Sequence, residues 1–251
     1  MECPICGQSS GEEFRVKYTL VAKCGNPRCG HIYAKHPDEV QGVQEHSEPE
    51  ADYQIYRKRN ENLIRFWRKS GFLTEQAGLL DIGAGAGHVL RSIREKMPGV
   101  AITCIEADPQ SAEYLSRMGF DVVNGLDDTR GQYDAILLIE VIEHVNKPVP
   151  FLAACKELLA PQGRIFLTTP CGETRSGSRA TNAYDTREHV QFFTERSLRL
   201  CCDKAGLPHL LLRTINEMYP PRGGVETALL GMARVIRGVV TGQRHLTGFA
   251  R

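Results

Sequence analysis

Short apolar runs alternate with amphipathic stretches from residue 78 onward. The apolar runs predict six strands, at Gly78–Ile82, Ala101–Glu106, Asp121–Val123, Tyr133–Ile139, Gly163–Thr169 and Leu210–Ile215. Apolar residues at helical spacing predict four helices, at His88–Lys96, Gln110–Met118, Pro148–Leu159 and Glu195–Ala205. This alternation is typical of a mainly parallel sheet with helices on both faces. We therefore predict an α/β, doubly wound fold whose functional side chains follow the carboxyl ends of the strands.

Four other stretches fall outside this alternation. Residues 35–50 are polar and interrupted by proline and glycine, which indicates a linker. The segment Tyr53–Lys69 spaces its apolar side chains on one helical face, so it is either a helix packed on the main domain or a lid near a ligand. Apolar spacing also predicts a helical insertion near 222–240. The polar stretch 171–186 is interpreted as a substrate loop, with Tyr184 and the adjacent Arg187 as candidates.

The composition narrows the class of protein. Hydrophobic residues make up 41% and charged residues 24%, which excludes a disordered, collagen-like or coiled-coil chain. Lys+Arg 31 against Asp+Glu 30 gives a net charge of +1, so we do not expect a nucleic-acid partner. There is no apolar run of roughly 18 residues and no signal-like amino terminus. The expectation is a soluble, cytoplasmic protein that does not bind membranes.

Four of the nine cysteines lie within the first thirty residues. They form two turns, Cys3-Pro-Ile-Cys6-Gly7 and Cys24-Gly-Asn-Pro-Arg-Cys29-Gly30, separated by a strand-like segment from Glu13 to Ala22. Two such turns on a β-ribbon indicate a structural zinc site with four thiolate ligands and no open position. His31 is the alternative to Cys29. The other five cysteines are interpreted as small buried side chains. The predicted organisation is a zinc-ribbon-like segment at 1–34, the linker at 35–50 and the main domain at 51–251.

The segment after the first main-domain strand carries a ligand motif. It reads Leu79-Leu-Asp81-Ile-Gly83-Ala-Gly85-Ala-Gly87-His88, and the next strand ends in Glu106. The glycines allow a tight turn and a close approach of backbone N–H groups, and Glu106 is placed to hold the hydroxyls of a ribose. An acid before the turn favours a cationic group over a pyrophosphate. S-adenosylmethionine fits these requirements better than NAD.

Four blocks in order now show a resemblance: LLDIGAGAGHVL, CIEADP, YDAILLIEVIEHVNKP and LLAPQGRIFLTTP. They resemble the class I S-adenosylmethionine-dependent methyltransferases, and within them the E-x-x-E-H group that includes ubiquinone-type and sugar or natural-product O-methyltransferases. The resemblance implies a Rossmann-like sheet with a final antiparallel strand, here at His245–Ala250. It also implies cofactor contacts from the following residues: Asp81, Gly83, Gly85, Gly87, Glu106, Ala107, Asn124 and Glu140.

The E-x-x-E-H segment supplies the candidate catalytic groups. Glu140, Glu143 and His144 could face one point if a helical turn begins there. The resemblance implies a possible divalent metal site here: ubiquinone-type relatives bind a metal through this trio, and small-RNA 2′-O-methyltransferases use a further downstream histidine, whose position His189 resembles. The alternatives are a Mg²⁺ or Mn²⁺ site of these four residues, or His144 and His189 as bases with Glu143 in support.

Three functions follow. The leading hypothesis is methyl transfer from S-adenosylmethionine to a hydroxyl of a small natural-product, sugar or quinone-type acceptor. The second is RNA 2′-O-methylation with a divalent metal, which the near-neutral charge does not favour. The third is a non-catalytic module that binds a protein partner through the zinc ribbon, and the intact glycine motif speaks against it.

Overall fold

The amino-terminal cysteine region is a small antiparallel sheet. The computed structural model describes residues 1–40, 49–172, 187–208, 211–216 and 244–250. The first strands are β1 (Ser10–Arg15), β2 (Leu20–Cys24) and β3 (Ile32–Ala34), paired in that order. The prediction of one strand from Glu13 to Ala22 was wrong. The chain turns between Val16 and Thr19, whose main-chain N···O distance is 3.0 Å, because a hairpin pairs backbone groups that one long strand would leave open.

The main domain contains the predicted seven-stranded sheet. Its strands are β4 (Gly78–Ile82), β5 (Ala101–Ile105), β6 (Asp121–Val123), β7 (Tyr133–Ile139), β8 (Leu159–Pro170), β10 (Leu211–Asn216) and β11 (Arg244–Ala250). They lie in the order β10-β11-β8-β7-β4-β5-β6. The five strands from β8 to β6 run parallel, while β11 is antiparallel to both β8 and β10. The mainly parallel sheet and its antiparallel strand are therefore confirmed.

Five helices are described, and they begin close to the predicted positions. They are α1 (Pro49–Lys69), α2 (His88–Lys96), α3 (Pro109–Arg117), α4 (Pro148–Glu157) and α5 (Glu195–Lys204). Proline stands in the first turn of α3 and α4, where its missing N–H costs no helical hydrogen bond. Asp108 caps α3 by accepting the Ser111 N–H at 2.9 Å. The proline in the first turn and the Asp108 cap favour the start of α3 at Pro109.

Helix α1 packs on the main domain. Its Trp67 is fully buried and meets Phe166 of β8 edge to face, with ring centroids 5.1 Å apart. The Tyr53 hydroxyl donates to Glu95 of α2 at 2.8 Å. The ring of Tyr56 lies 5.6 Å from that of His88, the first residue of α2. The packing interpretation of this helix is confirmed, and its role as a lid stays a prediction.

One strand joins the small sheet to the main domain. β9 (Gln191–Phe192) comes from the main domain and pairs antiparallel with β3, so that Tyr33 opposes Gln191. The two regions also share a hydrophobic cluster, in which Cys3 and Ile5 belong with Leu198 of α5. The ribbon is thus built into the main domain at the β9 edge.

Some predicted segments lie beyond the described ranges. The central part of the linker (41–48), the insertion near 222–240, and Tyr184 with residues 173–186 fall outside them. The five cysteines outside the amino-terminal cluster are all buried, as predicted. Within the described ranges, every helix is too short or too polar to cross a bilayer.

Candidate active site and metal centre

A glycine-rich turn connects β4 to α2. Gly83, Gly85 and Gly87 all have positive φ, at 73°, 54° and 70°, a backbone region that side chains with a Cβ disfavour. A Cβ on Gly83 would lie 2.7 Å from Val141 Cγ2, and one on Gly87 would lie 2.5 Å from Leu115 Cδ2. A Cβ on Gly85 would meet nothing within 4 Å. Two of the glycines therefore serve packing, and the third keeps the backbone accessible at the middle of the turn.

Two carboxylates flank this turn. Asp81 in β4 is 2% exposed, and burial, together with the nearby charge of Glu106, raises its pKa to about 8. Glu106 follows β5 and accepts the Gly85 N–H at 2.6 Å and the Asp108 N–H at 2.8 Å. A carboxylate has further lone pairs available beyond these two bonds. Glu106 thus fixes the turn and still has acceptor capacity for a ligand hydroxyl.

The other predicted cofactor residues follow the neighbouring strands. Ala107 comes after β5 and Asn124 after β6, and both are exposed. Glu140 comes directly after β7 with a positive φ of 57°, and its carboxylate accepts the Thr168 hydroxyl at 2.8 Å. Because parallel strands end at one edge of the sheet, these residues and the glycine turn lie along the same edge. Sequence analysis missed Thr168, since a threonine late in a strand carries no signal of its own.

The E-x-x-E-H segment forms a 3-10 turn at Ile142–His144, so part of it is helical as expected. Ligand atoms of Glu143, His144 and His189 lie within 4.8 Å of one another. The His189 Nε2 is 4.0 Å from Glu143 Oε1, and the His144 and His189 rings meet at 71° with centroids 4.9 Å apart. Three of the four predicted metal ligands therefore converge. Glu140 stays outside the group because its carboxylate is held by Thr168.

The carboxylate of Glu143 is the unusual member of this group. It is 1% exposed, and neither of its oxygens accepts a hydrogen bond from the described residues. Burial and the nearby charge of Glu140 raise its pKa well above the ordinary value. A buried carboxyl without a partner is costly. The donor set of one carboxylate and two imidazoles fits a divalent cation, and it fits equally a proton shared with a histidine.

The four amino-terminal cysteines form a compact sulfur cluster. Their Sγ atoms lie within 4.8 Å of one another, with Cys3 and Cys29 3.8 Å apart and Cys6 and Cys24 3.3 Å apart. Tetrahedral zinc with Zn–S bonds of about 2.3 Å requires sulfurs about 3.8 Å apart. A hydrogen bond from Cys29 lowers the pKa of the Cys3 thiol to about 5. The cluster has the ligand type and spacing of a structural zinc site.

His31 does not belong to the sulfur cluster. It is fully buried, with Nδ1 3.1 Å from Ser197 Oγ and Nε2 2.9 Å from Gln191 Oε1. The alternative in which His31 replaces Cys29 is therefore not the arrangement observed. Arg187, a candidate substrate residue, places its guanidinium 5.0 Å from the ring centroid of Tyr18 in the β1–β2 turn. Gln191, which sequence analysis missed, carries no motif and is identified only by its contacts.

The comparisons with known proteins agree with this architecture. A family model described as a methyltransferase domain matches residues 51–212. The chain belongs to this family, and its fold is that of the class I S-adenosylmethionine-dependent methyltransferases, as the sequence resemblance predicted.

One curated protein and two solved structures show what this chain is similar to. A ubiquinone biosynthesis O-methyltransferase of Caulobacter vibrioides is 35% identical over 124 residues, covering 44% of this chain and 48% of the relative. The chain thus spans about half the length of that relative. A SAM-dependent methyltransferase from Archaeoglobus fulgidus superposes with a TM-score of 0.55 at 14% identity, covering 79% of this chain and 98% of the other. A plantazolicin methyltransferase superposes with a TM-score of 0.57 at 16% identity, covering 86% and 93%. These low identities show the fold alone.

Proposed function

We propose that the chain transfers the methyl group of S-adenosylmethionine to a hydroxyl oxygen of a small molecule. The observation that carries the proposal is the buried Glu143 carboxylate grouped with His144 and His189 beside the glycine-rich turn. Val141, the second residue of the E-x-x-E-H segment, lies against Gly83 of the glycine-rich turn. One edge of the sheet thus presents a cofactor-binding turn and a group of proton acceptors together.

In the cofactor half of the site, two carboxylates and the main chain of the glycine-rich turn would bind S-adenosylmethionine. S-adenosylmethionine supplies a methyl group on a cationic sulfonium. Asp81 is placed to receive the positive methionine end, and Glu106 the ribose hydroxyls. Gly85 lets the cofactor approach the main chain. The solved plantazolicin methyltransferase contains S-adenosylhomocysteine, the demethylated cofactor, which supports this use of the fold.

In the acceptor half of the site, a basic side chain would remove the proton of the hydroxyl that is methylated. An alcohol or phenol attacks the methyl carbon more readily after its proton has passed to a base, and a neutral imidazole suits this role near pH 7. The new O–C bond forms as the C–S bond breaks, with the electron pair remaining on sulfur. His189 or His144 accepts the proton, and Glu143 stabilises the imidazolium that results. We favour oxygen as the acceptor atom because the similar protein of Caulobacter vibrioides is named an O-methyltransferase.

The same three side chains could hold Mg²⁺ or Mn²⁺. Glu143, His144 and His189 would be its protein ligands, and the cation would lower the pKa of a bound hydroxyl. Zinc in the four-cysteine cluster would have a structural role only, since four thiolates leave no open coordination position. We therefore assign a catalytic role to Glu143, His144 and His189, and a structural role to the four-cysteine cluster.

Calorimetric titration of S-adenosylmethionine, with metal analysis of the purified chain, tests the cofactor half. Micromolar binding and one zinc per chain are expected. Transfer of a radiolabelled methyl group to a panel of catechols, phenols and aliphatic diols then tests the acceptor half. His189→Gln should lower turnover by about 100-fold or more, the range for loss of a general base.

His36→Gln is the matched control, because His36 is exposed and belongs to neither metal-ligand group. It should leave turnover and cofactor affinity unchanged, while His189→Gln should change turnover alone. A folded protein that binds no S-adenosylmethionine would refute the proposal. Equal activity of His189→Gln and the unmodified chain would refute the assigned base.

A further inference from the structure

The zinc-ribbon-like sheet and the acceptor half of the site are connected by main-chain hydrogen bonds. The Ala34 N–H at the end of β3 donates to the Val190 carbonyl at 2.9 Å. The Val190 N–H in turn donates to the Glu143 carbonyl at 2.9 Å. Val190 directly follows His189, so two of the three converging side chains sit on backbone that this ladder holds. In this ladder Val190 joins the small sheet to the 3-10 turn.

A buried side-chain network runs beside this ladder. Gln191 is 3% exposed, and its Nε2 donates to the Val145 carbonyl at 2.9 Å and to the Asn146 carbonyl at 3.3 Å. Its Oε1 accepts from His31 Nε2 at 2.9 Å. Val145 directly follows His144. The amide of Gln191 therefore holds the chain immediately after the E-x-x-E-H segment and ties it to His31.

The far end of the network lies close to the sulfur cluster. His31 comes two residues after Cys29, and the Cys24 N–H donates to the His31 carbonyl at 2.8 Å. The neutral imidazole that donates from Nε2 accepts at Nδ1 from the Ser197 hydroxyl of α5. The His31 ring also packs 4.9 Å from that of Phe193, next to β9. Every polar atom of the ring thus has a fixed partner, so its position depends on the fold of the second cysteine turn.

In small zinc-binding segments the metal contributes a large part of the folding free energy. The glycine turn, Asp81 and Glu106 contact neither β9 nor the small sheet through any of the hydrogen bonds described above. The two halves of the site therefore differ in their dependence on the ribbon. We propose that the four-cysteine metal site positions the Glu143–His144–His189 group through the β3–β9 pair, with His31 and Gln191 as positioning residues. This inference rests on the proposed function only for the role of that group.

Hydrogen–deuterium exchange on the full-length chain tests the connection without an acceptor. In Gln191→Met the side chain keeps its bulk and loses its hydrogen bonds. Exchange across 142–146 and 189–191 should accelerate at least about tenfold, and S-adenosylmethionine affinity should stay within about twofold. Removal of zinc with a chelator from the unmodified protein should accelerate exchange in the same two segments and in 1–34.

Asn60→Leu is the matched control, since Asn60 is also a fully buried amide that donates to a carbonyl, that of His88, at 3.0 Å. It should loosen the start of α2 and leave 142–146 unchanged. The ring nitrogen NMR signals of His144 and His189 give a second readout. Gln191→Met should shift or broaden both, while the signals of His36 and His88 stay in place.

Two results would overturn the inference. One is unchanged exchange in 142–146 after both the substitution and zinc removal. The other is acceleration throughout the chain, including α2, which would mean general destabilisation. If Gln191→Met does not fold, zinc removal from the unmodified protein decides between these results. Failure to bind S-adenosylmethionine would contradict the proposed function and would leave the exchange result readable, so the two failures are distinguishable.

Discussion

Asp81 should make cofactor binding depend on pH in a way that a surface carboxylate would not. Its carboxyl is 2% exposed, and burial followed by the charge of Glu106 raises its pKa to about 8. At pH 7, which lies below this pKa, Asp81 is mostly protonated in the free protein. A cationic ligand binds the ionised form better, so binding must release this proton. We expect release of up to one proton per S-adenosylmethionine bound at pH 7, and less release above pH 8.

The affinity follows from the same linkage. Below a pKa of about 8, each pH unit changes the ionised fraction about tenfold. The dissociation constant should therefore fall about tenfold from pH 6 to pH 7 and level off above pH 8. Between pH 6 and pH 7 the α-amino group of the ligand, with an ordinary pKa of about 8, stays mostly protonated, and the sulfonium charge does not titrate. In Asp81→Asn, affinity at pH 7 should be weaker and its pH dependence should disappear.

As pH rises, the unfolding free energy of the cofactor-free protein should fall, whereas the affinity for S-adenosylmethionine should rise. The folded-state pKa of Asp81 lies above its unfolded value, so this group contributes stability that is complete below about pH 4 and lost as pH rises through 8. Asp81→Asn should therefore raise the unfolding free energy at pH 8 by on the order of a few kcal/mol. Calorimetry in two buffers of different ionisation enthalpy measures the proton count, and thermal melting measures the stability. No proton release at pH 7 by the unmodified chain would refute the reasoning.

Four further substitutions test the packing of the glycine turn, the ribose contact and the zinc site separately. Gly87→Ala should destabilise the fold more than Gly85→Ala. Both glycines have positive φ, but only a Cβ at position 87 would lie 2.5 Å from Leu115. Equal melting temperatures of the two variants would contradict this packing argument. Glu106→Ala should weaken S-adenosylmethionine binding at least about tenfold, or about 1.4 kcal/mol, and an unchanged calorimetric constant would remove this residue from the cofactor site. Cys6→Ser should lower bound zinc below one per chain and expose 1–34 to proteolysis, whereas full zinc content by elemental analysis would contradict a four-cysteine site.

Local chemistry explains what the sequence could predict. β4 and β7 begin and end at the predicted residues, because buried parallel strands are continuous apolar runs bounded by turns. The glycine turn is readable because its positive φ values demand glycine. The four clustered cysteines were informative for a similar reason, since few other arrangements explain closely spaced thiols in pairs.

The hairpin at β1 and β2 shows where local reasoning fails. A continuous β-forming stretch does not indicate where it reverses, so one strand was predicted where two exist. Glu140 is a second case. Its spacing from Glu143 and His144 predicted a shared face, and the tertiary contact with Thr168 holds its carboxylate elsewhere.

Residues close together in the chain were enough to predict the strand and helix alternation of the main domain, the glycine-rich turn and the members of the sulfur cluster, because each of these depends on neighbours along the chain. Long-range packing brings β9 to the edge of the small sheet, joins Gln191 to both His31 and the E-x-x-E-H segment, and buries Glu143 beside His189. Those arrangements join residues far apart in the chain. Their positions follow from how the ribbon, the 3-10 turn and α5 pack together, which no periodicity or spacing records.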